Sequence, residues 1–194
     1  MRVTDACLDQ LFRAARTARG FVPEDVPEAL LRELYDLARM GPTTQNSQPA
    51  RFVFLTTPAA KERLVPALNP PNVDKTRAAP VTVIVAYDTR FYDLLHKVWH
   101  VPTVRDNYAG NTAHAELTAL RNGSLQGAYL ILAARALGLD CGPMSGFSLE
   151  RVNAEFFADG RWKANFLCNL GRADASKATP RSPRLTFEEA CQVL

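Results

Sequence analysis

Val81-Thr82-Val83-Ile84-Val85-Ala86-Tyr87 is the clearest strand in the chain. It is β-branched and nearly apolar throughout, so both of its faces require a cover. Two further strands are predicted far from it in sequence, Arg51-Phe52-Val53-Phe54-Leu55 and Phe166-Leu167-Cys168-Asn169-Leu170, the second ended by Gly171. Long stretches of helical spacing separate these few strands. That combination points to a central sheet clothed by helices, an α+β chain.

Outward from the strands, Ala6 to Ala18 is predicted helical, with Leu8, Leu11, Phe12 and Ala15 on one face and Thr4 or Asp5 as its cap. A second helix follows Pro27 through Leu30, Leu31, Leu34, Leu37 and Ala38 and stops at Gly41-Pro42. A short helix fits Ala59 to Leu68. From Asn111 to Leu137 runs a long helical pattern whose stripe is Leu117, Leu120, Ser124, Ala128, Ile131 and Arg135. Its last third is apolar nearly all round, as expected between layers or subunits. On it Gly123 and Gly127 stand four apart, a spacing that favours close approach of helices at a dimer interface. Gly138 stops this helix. A loop is expected over Cys141 to Phe147, and a short helix over Leu149 to Phe157. Asp88 to Gly110 has aromatics, Pro102 and no clean period, as functional loops often do; it reads as a mobile cap with Phe91, Tyr92 and Trp99 lining an entrance. The tail Ala173 to Leu185 is too polar for a core element and is expected to wrap over something.

Composition bounds the rest. The chain has 194 residues, 47% hydrophobic and 22% charged, which predicts one globular domain over 1–194. A net charge of +3 is too small to argue for nucleic acid or an anionic membrane as the main partner. No apolar run approaches the roughly 20 residues that span a bilayer, and the amino-terminal pattern is amphipathic, unlike a secretory signal. Cys7, Cys141, Cys168 and Cys191 form no C-x-x-C pair, so reduced thiols in the cytoplasm are expected. His96 and His100 sit four apart, but no third ligand follows at a recognisable interval, so no metal is expected. Neither G-x-G-x-x-G nor G-x-x-x-x-G-K-[ST] occurs, which removes the Rossmann and P-loop readings.

Four polar constellations remain. Arg16-Thr17-Ala18-Arg19 puts two guanidinium groups and a hydroxyl within reach of a phosphate, although basic residues also suit a helix end. Thr43-Thr44-Gln45-Asn46-Ser47-Gln48, between Pro42 and Pro49, offers six uncharged hydrogen-bonding side chains, either a solvated turn or a surface for a polar heterocycle. Gly142-Pro143-Met144-Ser145-Gly146-Phe147 either turns the chain or lets backbone N–H groups approach a flat ligand. Arg181 and Arg184 in the tail serve either solubility or an anion.

These segments resemble, in order and spacing, the FMN-dependent nitroreductase family. Within it they are most similar to the HadB/RutE-type subfamily of malonic semialdehyde reductases. The resemblance is carried by G-P-T-x-x-N-x-x-P-A-R at Gly41 to Arg51, A-P-V-T at Ala79 to Thr82 and R-x-x-S-x-Q-x-A-Y-L-I at Arg121 to Ile131. It continues in A-L-G-L-D-x-G-P-M-S-G-F at Ala136 to Phe147 and P-R-L-x-F-E-E-A-C at Pro183 to Cys191. The resemblance implies a three-layer α/β/α fold with a mostly antiparallel sheet, a dimer-spanning tail and a homodimer holding FMN at its interface. Arg16, Thr17 and Arg19 would meet ribityl and phosphate. Thr43, Thr44 and Asn46 would come from the other subunit. Asn72 and Lys75 would lie near the pyrimidine end of the flavin, and Pro143, Met144, Ser145 and Gly146 along the ring edge. Arg184 and Arg181 would bind the phosphate.

Two residues depart from the wider family. Ala50 stands where many members have an aromatic, and Ser145 where many have an acid; both agree with the reductase subfamily. The implied activity is ping-pong hydride transfer from NADH or NADPH through FMN to malonic semialdehyde, giving 3-hydroxypropionate. Lys75, Ser145 and Gly146 would tune the flavin, with no side chain as nucleophile. A broad nitroaromatic or quinone reductase and a non-catalytic flavin-binding protein stand as alternatives.

Overall fold

The structure, a computed structural model, describes residues 2–194. Along the chain come α1 (Asp5–Leu8), α2 (Glu28–Ala38), β1 (Ala50–Leu55), α3 (Pro58–Leu64), α4 (Pro70–Ala78), β2 (Val81–Asp88), α5 (Leu95–Val98), α6 (Val104–Ala109), α7 (Thr112–Ala136), β3 (Asp140–Met144), α8 (Leu149–Phe156), β4 (Trp162–Gly171) and α9 (Phe187–Ala190). The strands pair antiparallel in the order β1-β2-β4-β3.

All eight residues of β2 are buried, because helices cover both faces of the sheet. Side chains alternate along a strand. Val81, Val83 and Val85 therefore join Leu31, Leu34, Leu130 and Ala134 of α2 and α7. Ile84 and Ala86 point the other way, to Leu64 of α3 and Val152 of α8. Each such aliphatic side chain, fully buried, stabilises the fold by about 1.5–3 kcal/mol relative to exposure. The expected α/β/α layering follows from this alternation.

Several sequence expectations are corrected. The first helix does not reach Ala18. It loosens into a π turn over Asp9–Arg13, after which Ala18 N donates to the Cys141 carbonyl at 2.9 Å. The free edge of β3 competes for this backbone and wins. The expected loop at Cys141 to Phe147 begins as that edge strand, hidden in the sequence by its glycine and proline. Helix α4 has no counterpart among the expected elements; its Pro70 and Pro71 occupy the first turn, where no donor is lost.

On α7 the anticipated stripe faces outward at Leu117, Leu120, Ser124 and Ala128, while Ile131 packs on the core. Leu117 is 52% and Leu120 40% exposed, while Ala115, Ala119, Asn122, Gln126 and Leu130 face the protein. Gly123 and Gly127 also point inward. A Cβ on Gly127 would stand 2.5 Å from Phe166 Cζ, and one on Gly123 3.2 Å from Tyr87 Cβ. The pair thus seats α7 on the sheet.

The 88–110 segment has a core of its own. Phe91, expected to line an entrance, is fully buried with Leu95, Val104, Tyr108, Ala115 and Ala119; Tyr92 and Trp99 are half-buried against them.

Candidate functional site

The bridge between Thr17 and Cys141 lays Arg16 to Arg19 beside β3. The tail returns to the same place. Arg181 donates to the carbonyls of Arg13 at 2.5 Å and Ala15 at 2.8 Å. Between them opens a cleft of about 540 Å³ lined by Arg16, Thr17, Arg19, Arg135, Arg181 and Arg184, among others. Arg135 lies 3.9 Å from Asp140. Among the described residues no carboxylate lies within 4.0 Å of Arg16, Arg19, Arg181 or Arg184. Desolvation, and then the neighbouring Arg16, Arg184 and Arg135, lower the pKa of Arg181. This is a concentration of positive charge in which only Arg135 has a nearby carboxylate.

Farther along β3, α4 presents Asn72 and Lys75. The Asn72 amide donates to the Gly146 carbonyl at 2.7 Å, and Asn69 N donates to the same oxygen at 3.0 Å. Below them, Asn169 donates to the Lys75 carbonyl at 3.3 Å and accepts from Thr82 at 2.7 Å. Buried polar groups joined this way hold α4 to the sheet in one register. Burial first, then the charge of Arg19, lowers the Lys75 pKa. Pro143 and Ser145 are exposed beside this group, Met144 is buried and Gly146 is half-buried. One chain thus brings together Arg16, Thr17, Arg19, Asn72, Lys75, Pro143 to Gly146, Arg181 and Arg184 along one edge of the sheet.

Thr43, Thr44 and Asn46 are elsewhere. Their loop leads into β1, at the opposite sheet edge from β3, with β2 and β4 between. At a strand spacing of about 4.8 Å, that is roughly 14 Å across the sheet. The loop is held by α7 and the 91–109 segment. Thr44 N donates to Asn122 Oδ1 at 2.8 Å, Asn46 Nδ2 to the Val98 carbonyl at 2.9 Å, and Tyr108 OH to Gln45 Oε1 at 2.6 Å. Gln45, Asn46 and Gln48 have φ of 50°, 48° and 42°. Each left-handed non-glycine residue costs about 1–2 kcal/mol, so these contacts offset stored strain.

Sequence reasoning missed a buried ion cluster. Asp88, 1% exposed, accepts from Arg51 at 2.7 Å and from Arg161 at 3.2 Å. The signal was present: a carboxylate directly follows an apolar strand, and an arginine opens the strand beside it.

The comparisons with known proteins agree with this fold. The nitroreductase family model matches residues 12–172. A Ralstonia nicotianae protein named for NADH dehydrogenase/NAD(P)H nitroreductase is 58% identical over 187 residues, covering 96% of each chain. A Ralstonia pickettii relative with the same designation, HadB, is 54% identical and covers 95% of each. Among solved structures, a nitroreductase from Exiguobacterium sibiricum in complex with FMN superposes with a TM-score of 0.84 at 20% identity, covering 100% of this chain and 99% of that one. The chain belongs to the nitroreductase family, FMN-dependent oxidoreductases. No helix among the described residues is long and apolar enough to cross a membrane.

Proposed function

We propose that the chain, a single domain over 1–194, is an NAD(P)H oxidoreductase that binds FMN along β3 and reduces malonic semialdehyde to 3-hydroxypropionate. The observation that carries the FMN site is the cluster of Arg16, Arg19, Arg181 and Arg184, none paired with a carboxylate among the described residues, continuing into the Asn72–Gly146 crossing. A phosphate at one end and a flat polar ring at the other match that donor set. Arg16, Arg19 and Arg184 would hold the phosphate with Thr17. Asn72, Lys75 and the backbone of Ser145 and Gly146 would face the ring. When bound, FMN supplies hydride exchange between NADH or NADPH and the substrate.

The protein's own part is binding and electrostatics. Burial and Arg19 disfavour the Lys75 ammonium while the site lacks an anion. A bound anion reverses that balance, and Lys75 then holds its proton at Nζ beside developing negative charge. Arg181 commits Nη2 to the carbonyls after α1, so it shapes the cleft, and Arg184 and Arg16 are the arginines assigned to the phosphate in this reading.

The proposed assembly is a homodimer with FMN at the interface. Support comes from Thr43, Thr44 and Asn46, which lie at the wrong sheet edge to reach β3 of their own chain. The outward stripe of α7, with Leu117, Leu120, Leu125 and Tyr129 exposed, and the exposed Leu185, Phe187, Val193 and Leu194 of the tail provide apolar surface for a second copy. We place the enzyme in the cytoplasm, in line with its sparse, unpaired cysteines. No nucleic acid, membrane or metal takes part in this reading.

The substrate reading rests on the subfamily motifs, on Ala50 and Ser145, and on the likeness to the HadB-named relative. The names of the relatives favour a second reading, a nitroaromatic or quinone reductase. Measuring kcat/KM on malonic semialdehyde and on a nitroaromatic decides between them. A clear preference for the aldehyde supports the first reading, and the reverse order replaces it.

A further inference from the structure

The segment expected to be a mobile cap is joined to the polar loop by two hydrogen bonds. Tyr108 of α6 donates to Gln45 Oε1 at 2.6 Å, and the Val98 carbonyl after α5 accepts from Asn46 Nδ2 at 2.9 Å. Tyr108 is itself fixed. It is 4% exposed, meets Phe91 edge-on at 4.9 Å and stacks on His114 at 5.3 Å. Gln45, held by Tyr108, and Asn46, held by the Val98 carbonyl, have left-handed backbone, as does Gln48. Gln48 also donates to Asn46 Oδ1 at 3.0 Å, so strain and anchor share one short hydrogen-bonded unit.

We infer that Tyr108 is a positioning residue for the cofactor: its hydroxyl, presented by the packed 91–109 segment, holds the strained 43–48 loop in the conformation that faces the flavin. This rests on the proposed reading that Thr43, Thr44 and Asn46 contact FMN. The physical reason is that a left-handed glutamine relaxes unless something outside the loop holds it. A rigid aromatic with its own hydrophobic cluster is such a holder. The 91–109 segment then acts as a brace for the cofactor loop, and a change on that segment alters cofactor affinity without touching the cofactor.

The test uses the full-length protein and four forms: wild type, Tyr108→Phe, Gln45→Ala and the double variant. FMN affinity of the apoprotein is read by fluorescence quenching, and loop integrity by the rate of proteinase K cleavage within residues 43–48 without ligand. Each single variant should weaken FMN binding about three- to tenfold, the size of one hydrogen bond, with a nearly unchanged thermal midpoint. Each should also speed loop cleavage by a similar factor. The double variant should be no worse than the worse single, because both remove one interaction. Unchanged cleavage and affinity in Tyr108→Phe, or effects that multiply in the double variant, overturn the inference. If Tyr108→Phe does not fold, Gln45→Ala carries the same two outcomes. Wild-type apoprotein that ignores FMN would instead remove the proposed cofactor site, leaving the cleavage rates to decide whether Tyr108 braces the loop.

Discussion

The Asn72 side-chain amide donates to the Gly146 carbonyl at 2.7 Å and so fastens the start of α4 to the end of β3. Two segments more than seventy residues apart thereby form one edge of the proposed flavin site. A side chain at 146 would have to displace the Asn72 amide that makes this bond. A Cβ at position 146 would stand 2.7 Å from Asn72 Nδ2 and 3.3 Å from Asn69 Nδ2.

Gly146→Ala should therefore push the Pro143 to Gly146 strip away from α4. We expect a stability loss of about 1–3 kcal/mol by urea denaturation and at least tenfold weaker FMN binding. A variant as stable and as tight as wild type would show that the crossing tolerates a side chain and does not define the site.

The arginines should separate by role. Arg16→Ala and Arg184→Ala should weaken FMN binding about tenfold or more, the size of a charge-assisted hydrogen bond, while riboflavin, which lacks the phosphate, is bound as before. Arg181→Ala should instead lower the thermal midpoint, because the carbonyls of Arg13 and Ala15 lose their donor. Equal FMN-to-riboflavin ratios in all three variants would contradict the division.

Lys75 makes stability depend on pH. Its folded pKa lies below 10.5 because of burial and then Arg19. Between that lowered value and 10.5 the unfolded chain binds more protons than the folded one, so stability rises with pH there. The buried Lys61, also lowered by burial, adds a slope of the same sign. The buried Cys168 thiol and Tyr87, pushed up to about 12, have raised pKa values and add slopes of the opposite sign at alkaline pH, so the lysine contribution is read as a difference between variants. Lys75→Met should make the slope less positive than in wild type, and saturating FMN should do the same to wild type. An equal slope in wild type and Lys75→Met would refute the assignment.

Gly127→Ala distinguishes the two possible uses of the glycine pair on α7. A Cβ there meets Phe166 at 2.5 Å. It should destabilise each protomer by about 1–3 kcal/mol, more than the roughly 1 kcal/mol that alanine returns in helix propensity. A weakened dimer with intact protomers would restore the interface reading.

Much of the fold is legible because β2 is apolar on both faces and can only lie inside a layered sheet. The glycine-proline block, the arginine tail and the polar loop were visible as chemistry. Edge strand β3 was not, because Gly142 and Pro143 carry loop character while the pairing comes from β4 and from the backbone of Thr17 and Ala18. The end of α1 was misplaced for the same reason: a tertiary hydrogen bond at Ala18 outweighs local helix propensity. The outward stripe of α7 misleads because its leucines repeat as a core face would. The true inner face is built of alanine, glycine and amides that let the helix approach the sheet. The Asp88 cluster joins β2 to β1 through Arg51 and to the turn before β4 through Arg161; Asp88 stands out locally at the end of an apolar strand, but its distant partner Arg161 does not.

Anaerobic mixing of the purified protein with NADH or NADPH alone tests the central claim most directly. The proposed enzyme should be yellow, release FMN on heating, and lose its visible flavin absorption before any aldehyde or nitro compound is added. A colourless protein that does not take up FMN, or a flavin that bleaches only when the second substrate is present, would contradict it.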